Sequence, residues 1–139
     1  DVSSAIRAEE IGMAASAVAA IPAVRTFLLD AQRTLAASRD VLMDGRDIGT
    51  VVFPHAQLKI FLTASVEERA RRRYKEMVEK GQQVELAQLQ EDIAARDKQD
   101  SERAISPLRQ AEDALLLDTS DMSIAQVTDK ILQLVQERV

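Results

Sequence analysis

The residues best placed to do chemistry lie in Asp44-Gly45-Arg46-Asp47-Ile48-Gly49-Thr50, which follows the apolar run Val41-Leu42-Met43 and leads into Val51-Val52-Phe53-Pro54. An apolar strand ending in Asp-Gly-Arg-Asp puts carboxylate acceptors and a guanidinium where a parallel sheet opens its ligand crevice, outside the carboxyl ends of its strands. A guanidinium there suits an anionic group such as phosphate, and the carboxylates suit donors on the same ligand.

A second group falls at Arg96, Asp100 and Arg103, at i, i+4 and i+7, so that on a helix all three share one face. Two guanidiniums flanking one carboxylate can grip a phosphate and accept a bond from a sugar hydroxyl. Spacing taken alone favours a solvated face laced with ion pairs over such a site. The basic cluster Arg69, Arg71, Arg72, Arg73 and Lys75, interleaved with Glu67, Glu68 and Glu76, reads in the same two ways. It is a charged surface helix, or an arginine comb closing over a polyphosphate, where cations placed against migrating charge do most of the catalytic work. His55, the single histidine, follows Pro54 without a second His or any Cys, and it is assigned no metal or general-base role.

The elements that must position these groups are legible from periodicity. Ile11, Ala14, Ala15, Val18 and Ile21 mark one face of an alanine-rich helix over residues 8–21, which Pro22 interrupts. Val24, Phe27, Leu28, Ala31 and Leu35 predict a second helix from Pro22 to Ser38, with proline in its first turn. Three short apolar runs, at 41–43, 58–62 (with Lys59 inside) and 115–117, read as parallel strands covered on both faces by helices. Capping-box patterns at Ser65-x-x-Glu68 and Ser123-x-x-Gln126 start two helices. Gly81 stops the first of them, and another resumes near Glu85 with Leu86, Leu89 and Ile93 as its stripe. The last helix presents Ile124, Val127, Ile131, Leu134 and Val135 and is expected to close one sheet face. Strands alternating with helices in this order make an α/β fold with a parallel sheet of three strands and flanking helices.

With 139 residues, 46% hydrophobic and 29% charged, the chain has the balance of one folded domain or most of one. Its net charge of -5 argues against a nucleic-acid polymer as partner and leaves a small anionic ligand held by local arginines. Zero cysteines exclude a disulfide framework, a thiolate metal site and a thiol nucleophile, and suit a reducing, cytoplasmic setting. No apolar run approaches the roughly 20 residues of a membrane span. None of the four glycines, at 12, 45, 49 and 81, begins a G-x-x-x-x-G-K-[ST] loop. Because the chain also opens on Asp1 within ordinary globular sequence, an amino-terminal truncation is expected.

Taken together, several motifs occur in order at family-like spacing. They are Ser16-x-Val18-Ala19-Ala20-x-Pro22-x-Val24-Arg25, the Asp44 to Pro54 stretch, and Lys59-Ile60-Phe61-Leu62-x-Ala64-Ser65-x-Glu67-Glu68-Arg69-Ala70-x-Arg72-Arg73. Ile93-x-x-Arg96-Asp97-x-x-Asp100-x-x-Arg103-Ala104, Pro107-Leu108 and Ala114-Leu115-x-Leu117-Asp118-Thr119-Ser120 follow. Over nearly its whole length the chain resembles the carboxy-terminal three-fifths of the bacterial cytidylate (CMP) kinases, P-loop nucleoside monophosphate kinases.

That resemblance implies a three-layer P-loop kinase fold, ATP and Mg²⁺ as cofactors, and CMP or dCMP as the phosphate acceptor. It implies that Arg25, Asp47 and Arg103 read the cytosine edge, that Ser16, Arg96 and Asp100 hold the pentose hydroxyls, and that Arg46 holds the CMP phosphate. Arg46, Arg69, Arg72 and Arg73 become the catalytic cations, the last three at the lid, and Asp44 a water-mediated support for Mg²⁺ with no direct metal ligand. Residues 1–38 become a helical CMP-side segment, 39–64 and 104–139 the core sheet and helices, and 65–103 the lid region with its following helix. The complete protein is expected to be a monomer, with no nucleic-acid polymer or membrane as partner.

The chain departs from the family pattern in two places. The family's first strand, phosphate-binding loop and first CMP-binding segment are absent, so the chain alone is expected to be catalytically inert while keeping weak CMP binding. Gln99 stands where many relatives carry a basic residue. Two other readings compete: a kinase for UMP or AMP, and a non-catalytic nucleotide-binding or interaction module.

Overall fold

The computed structural model describes residues 1–3, 5–7, 9–19 and 21–138, with the side chains of Arg7, Glu9, Glu10, Met13 and Ser16 outside that description. The chain divides into two compact units, Asp1–Met43 and Asp44–Val139.

The first unit is a helical pair. A 3₁₀ turn at Ala5–Arg7 precedes α1 (Glu9–Ala19), and α2 (Pro22–Ala36) begins on its proline. Ile21 stands between them in an extended conformation, φ -80° and ψ 117°. The proline ring excludes a helical residue immediately before it, so the break follows from the sequence. α2 buries none of its residues fully, and Phe27 and Leu28 of its predicted stripe are exposed. The alanines that let α1 come close offer little side-chain area to cover larger neighbours.

The second unit carries the sheet. β1 (Ile60–Thr63) pairs in parallel with β2 (Leu115–Asp118), Ile60 opposite Leu115 and Thr63 opposite Asp118. A parallel pair needs a long crossover, supplied here by α3 (Val66–Glu79) and α4 (Leu86–Glu102). These two helices form a hairpin on a small core of Ala70, Met77 and Leu89, against which Val84, Leu86 and Ile93 pack. The expected stripe of α4 is thereby in place. Gly81 ends the first arm at φ +75°, a left-handed position that a residue with a Cβ adopts only at a cost.

Three expectations of the sheet are corrected. Residues 41–43 form no strand: a strand is defined by its ladder, and among the described residues this run pairs with none. Coverage on both faces is also incomplete, since Leu117 is buried while Leu62 and Leu116 remain exposed. α5 (Ile124–Arg138) buries no residue fully, and Ile124 is 88% exposed, so it does not seal a face. Two strands about 4.8 Å apart are narrower than the roughly 10 Å diameter of a helix, and offer no bed for its full apolar stripe.

The capping predictions resolve differently. Ser123 and Gln126 close the reciprocal box, Ser123 N donating to Gln126 Oε1 at 2.8 Å and Gln126 N to Ser123 Oγ at 3.3 Å. Ser65 Oγ accepts from Glu68 N at 3.1 Å, but Ser65 N donates to Ser120 Oγ at 2.9 Å. Glu68 is therefore released to pair with arginines. No helix among the described residues is long and apolar enough to cross a membrane.

Candidate functional site

Asp44-Gly45-Arg46-Asp47 leads into a single π turn, Ile48–Val52, ahead of β1. Val51 N and Val52 N both donate to Asp47 O, at 2.8 and 3.2 Å, and Phe53 N donates to Ile48 O at 2.7 Å. π turns are rare and concentrate at functional sites. This one holds Asp47 half-buried, with the Arg46 guanidinium directed at the end of α4.

There the two sequence motifs meet, 54 residues apart in the chain. Arg46 Nε donates to Asp100 Oδ2 at 2.8 Å, and the Asp100 side chain is only 6% exposed. Arg103 completes the group, its Nη2 lying 3.9 Å from Asp47 Oδ1 and its Nη1 4.0 Å from Asp100 Oδ1. Arg103 is not on the helix, as the spacing predicted. It follows the last turn in an extended conformation (φ -62°, ψ 140°) and donates from Nε to Ser106 O at 2.7 Å. Ser106 adopts a positive φ of 51°, and Leu108 N donates to Asp100 O at 2.8 Å, so residues 103–108 fold back over the helix end. Arg103 Nη2 is buried without a hydrogen-bond partner. An orphaned charged donor is costly in a folded protein and marks a place where an acceptor would be welcome.

Arg96 sits one turn before Asp100, exposed. Asp44 is exposed at the start of the unit. In the first unit, Arg25 is half-buried on α2, its Nη1 donating to Ala19 O at 3.3 Å. Ser16 falls within α1, and its side chain lies outside the description.

Two of the α3 arginines, Arg69 and Arg72, reach the carboxyl ends of the strands. Arg69 donates from Nε to Ala64 O at 3.0 Å and forms a two-pronged pair with Asp97 of α4, at 3.0 and 2.5 Å. The hydrogen bonds Arg69 donates to the Asp97 carboxylate raise the Arg69 pKa above its ordinary value, outweighing the opposing effect of burial. Arg72 donates to Glu68 Oε1 at 2.9 Å and to the oxygens of Thr119, Oγ1 at 3.3 Å and O at 2.5 Å. Thr119 is itself buried and continues the ladder, N and Oγ1 both donating to Thr63 O. Arg73 stays within its own helix, donating to Glu76 at 3.2 Å. Ser120 N and Oγ both donate to Asp118 Oδ1 and hold that carboxyl below its ordinary pKa.

The geometry thus joins Arg46, Asp47, Asp100 and Arg103 in one cluster and spreads Arg69 and Arg72 along the strand ends. Donors and acceptors alternate in the cluster, which suits a ligand carrying both. Sequence reading passed over Asp97 and Thr119 as partners, and gave no weight to Lys59. Lys59 is buried, and its Nζ donates to Pro54 O and to both carboxylate oxygens of Asp113. Its signal was a charge inside an apolar run.

Comparison with known proteins places this geometry in context. The model of the cytidylate kinase family matches residues 1–137. A cytidylate kinase of Chromobacterium violaceum is 53% identical over 138 residues, covering 99% of this chain and 62% of the relative. Those of Stutzerimonas stutzeri and Vibrio parahaemolyticus are 53% and 52% identical, covering 99% and 100% of this chain and 60% and 62% of their own lengths. The chain spans about three-fifths of the length of the curated relatives it matches.

Proposed function

The chain belongs to the cytidylate kinase family, and from that premise we propose that the whole protein transfers the γ-phosphoryl group of ATP to the phosphate of CMP or dCMP. An oxygen of the acceptor phosphate bonds to the γ-phosphorus, the bond to the ADP oxygen breaks, and CDP or dCDP and ADP result. The acceptor is already an anion, so no general base is required, and the work is positioning and charge compensation. The absence of any His or Cys from the cluster fits that chemistry.

The observation that carries the reading is the Arg46–Asp100–Arg103–Asp47 cluster, two guanidiniums interleaved with two carboxylates. In this reading Arg46 holds the acceptor phosphate, and Asp47 and Arg103 read the cytosine edge, as does Arg25. Asp100, Arg96 and Ser16 hold the pentose hydroxyls. Arg69, Arg72 and Arg73 supply lid cations within residues 65–103, where closure excludes water. Mg²⁺ in phosphoryl-transfer sites is held chiefly by substrate phosphates and water, with one or two carboxylates. Among the described residues no three acidic or histidine side chains converge on a metal, and exposed Asp44 fits support through water. Bound with ATP, the ion draws charge from the donor phosphates. The reading includes a cytoplasmic monomer.

The test is a coupled assay of ADP release by the whole protein with CMP, dCMP, UMP and AMP, since the 139 residues contain no G-x-x-x-x-G-K-[ST] loop. The expected result is a kcat/KM for CMP or dCMP at least ~100-fold above those for UMP and AMP, the scale on which unpaired polar groups discriminate. Preference for UMP or AMP removes Arg25, Asp47 and Arg103 from base reading. Absence of turnover with all four overturns the reading.

A further inference from the structure

Resting on that reading, we propose that Lys59 is a positioning residue whose ammonium clamps the loop presenting Arg46 and Asp47, and so sets affinity for the acceptor nucleotide. Lys59 precedes β1, and its own carbonyl accepts from Leu115 N at 2.9 Å, so its backbone is fixed by the sheet. Its side chain is only 7% exposed. All three ammonium hydrogens find acceptors: Pro54 O at 2.5 Å, and Asp113 Oδ1 and Oδ2 at 2.7 and 2.6 Å. The stem runs beneath the π turn, so closely that a Cβ on Gly49 would lie 3.3 Å from Lys59 Cδ. One side chain therefore touches the loop at both Gly49 and Pro54 and ties it to the turn before β2.

A filler for that channel did not need a charge. Burying an ammonium costs free energy that its partners only offset, and an unbranched apolar residue of similar length would pack the same space. What methionine cannot do is hold the Pro54 carbonyl in a fixed place. A single π turn is not a self-sustaining element, and its Asp47 carbonyl already serves two amides. With the tether gone, Asp47 and the neighbouring Arg46 lose their fixed relation to Asp100 and Arg103, while the α3 arginines keep theirs.

The test compares Lys59→Met and Asp113→Asn with the parent in the whole protein, reading the KM of each substrate and amide exchange at residues 51–53. For Lys59→Met the acceptor KM is expected to rise about 10-fold, with the donor KM within about twofold, as sub-ångström misplacement implies. Exchange at those amides is expected to accelerate about 10-fold or more. Asp113→Asn leaves the Pro54 bond, and a smaller change of the same direction, about threefold in acceptor KM, is expected. It decides the matter should Lys59→Met fail to fold. A fall in kcat with both KM values unchanged indicates lost folded protein only, and overturns the proposal, as does a parallel rise of both. If the parent does not phosphorylate CMP, the function reading falls and the clamp is judged by exchange alone: unchanged protection at 51–53 overturns it, and faster exchange supports it.

Discussion

Asp100→Ala is the substitution whose cost the geometry fixes best. The carboxylate is 6% exposed and accepts the Arg46 Nε bond at 2.8 Å. A hydrogen bond to a charged group contributes about 1.5–3 kcal/mol. Arg46 is 44% exposed and regains water when its partner is removed, which favours the lower end of that range. Arg103 does not escape so readily, because its Nη1 loses the Asp100 contact at 4.0 Å while its buried Nη2 gains no bond and keeps Asp47 at 3.9 Å, with Nε still donating to Ser106 O. The sum is about 2 kcal/mol, which corresponds to a fall in Tm of roughly 6–10 °C for a chain of this size. Differential scanning calorimetry of Asp100→Ala, Arg46→Met and the double variant reads both the loss and its origin. A coupling of about 1–2 kcal/mol between the two sites is expected, since they share one bond. Asp100→Asn, which keeps the shape and loses the charge, should fall between parent and Asp100→Ala. Additive losses, with coupling below about 0.3 kcal/mol, would show that the pair does not hold the cluster together and refute the reasoning.

Two further predictions concern stability. Lys59 hydrogen bonds hold the Asp113 carboxyl below its ordinary value, and the Ser120 donors do the same for Asp118. Carboxylates depressed in the folded state contribute stability above their unfolded pKa of about 4 that is lost as pH falls through the lower folded values. Urea midpoints should therefore be insensitive to these two groups between neutrality and about pH 5, then drop below about pH 4, and Asp113→Asn and Asp118→Asn should each flatten that acid limb. The left-handed positions give a paired test of opposite sign. Gly81→Ala meets open space but keeps φ +75°, and is expected to cost about 1 kcal/mol, whereas Ser106→Gly at φ 51° should stabilise by a few tenths to about 1 kcal/mol. A rise in urea midpoint for Gly81→Ala would contradict the first expectation, and a fall for Ser106→Gly the second.

The parts of the fold legible in the sequence are those decided within one or two turns. Pro22, Gly81, Ser65 and Ser123 act on their immediate neighbours, and α2, α3 and α5 begin or end where they say. The 86, 89, 93 stripe likewise needs only one opposing helix to be satisfied. Residues 41–43 and 58–62 look equally strand-like in isolation, and only the second run finds a ladder. Strand formation is a pairwise property, so an apolar run states a propensity that a partner must complete. The exposure of Leu62, Leu116 and Ile124 has the same origin, since periodicity names the apolar face without saying what area lies opposite.

For the site, spacing found the residues but not their choice of partners. Arg96, Asp100 and Arg103 share a face on paper, yet Arg103 reaches the cluster only because the helix ends before it and the chain turns back through Ser106. Among the arginines of α3, Arg69 and Arg72 reach the ends of β1 and β2, while Arg73 bonds within its own helix. Nothing in their common charge distinguishes them; the distinction lies in which helical face looks toward Ala64, Asp97 and Thr119. A rule of use elsewhere follows from Lys59. A long cation inside an apolar run must spend its hydrogens on something. Where those acceptors belong to a loop that carries functional side chains, as Pro54 does, the buried charge points to the site from outside it.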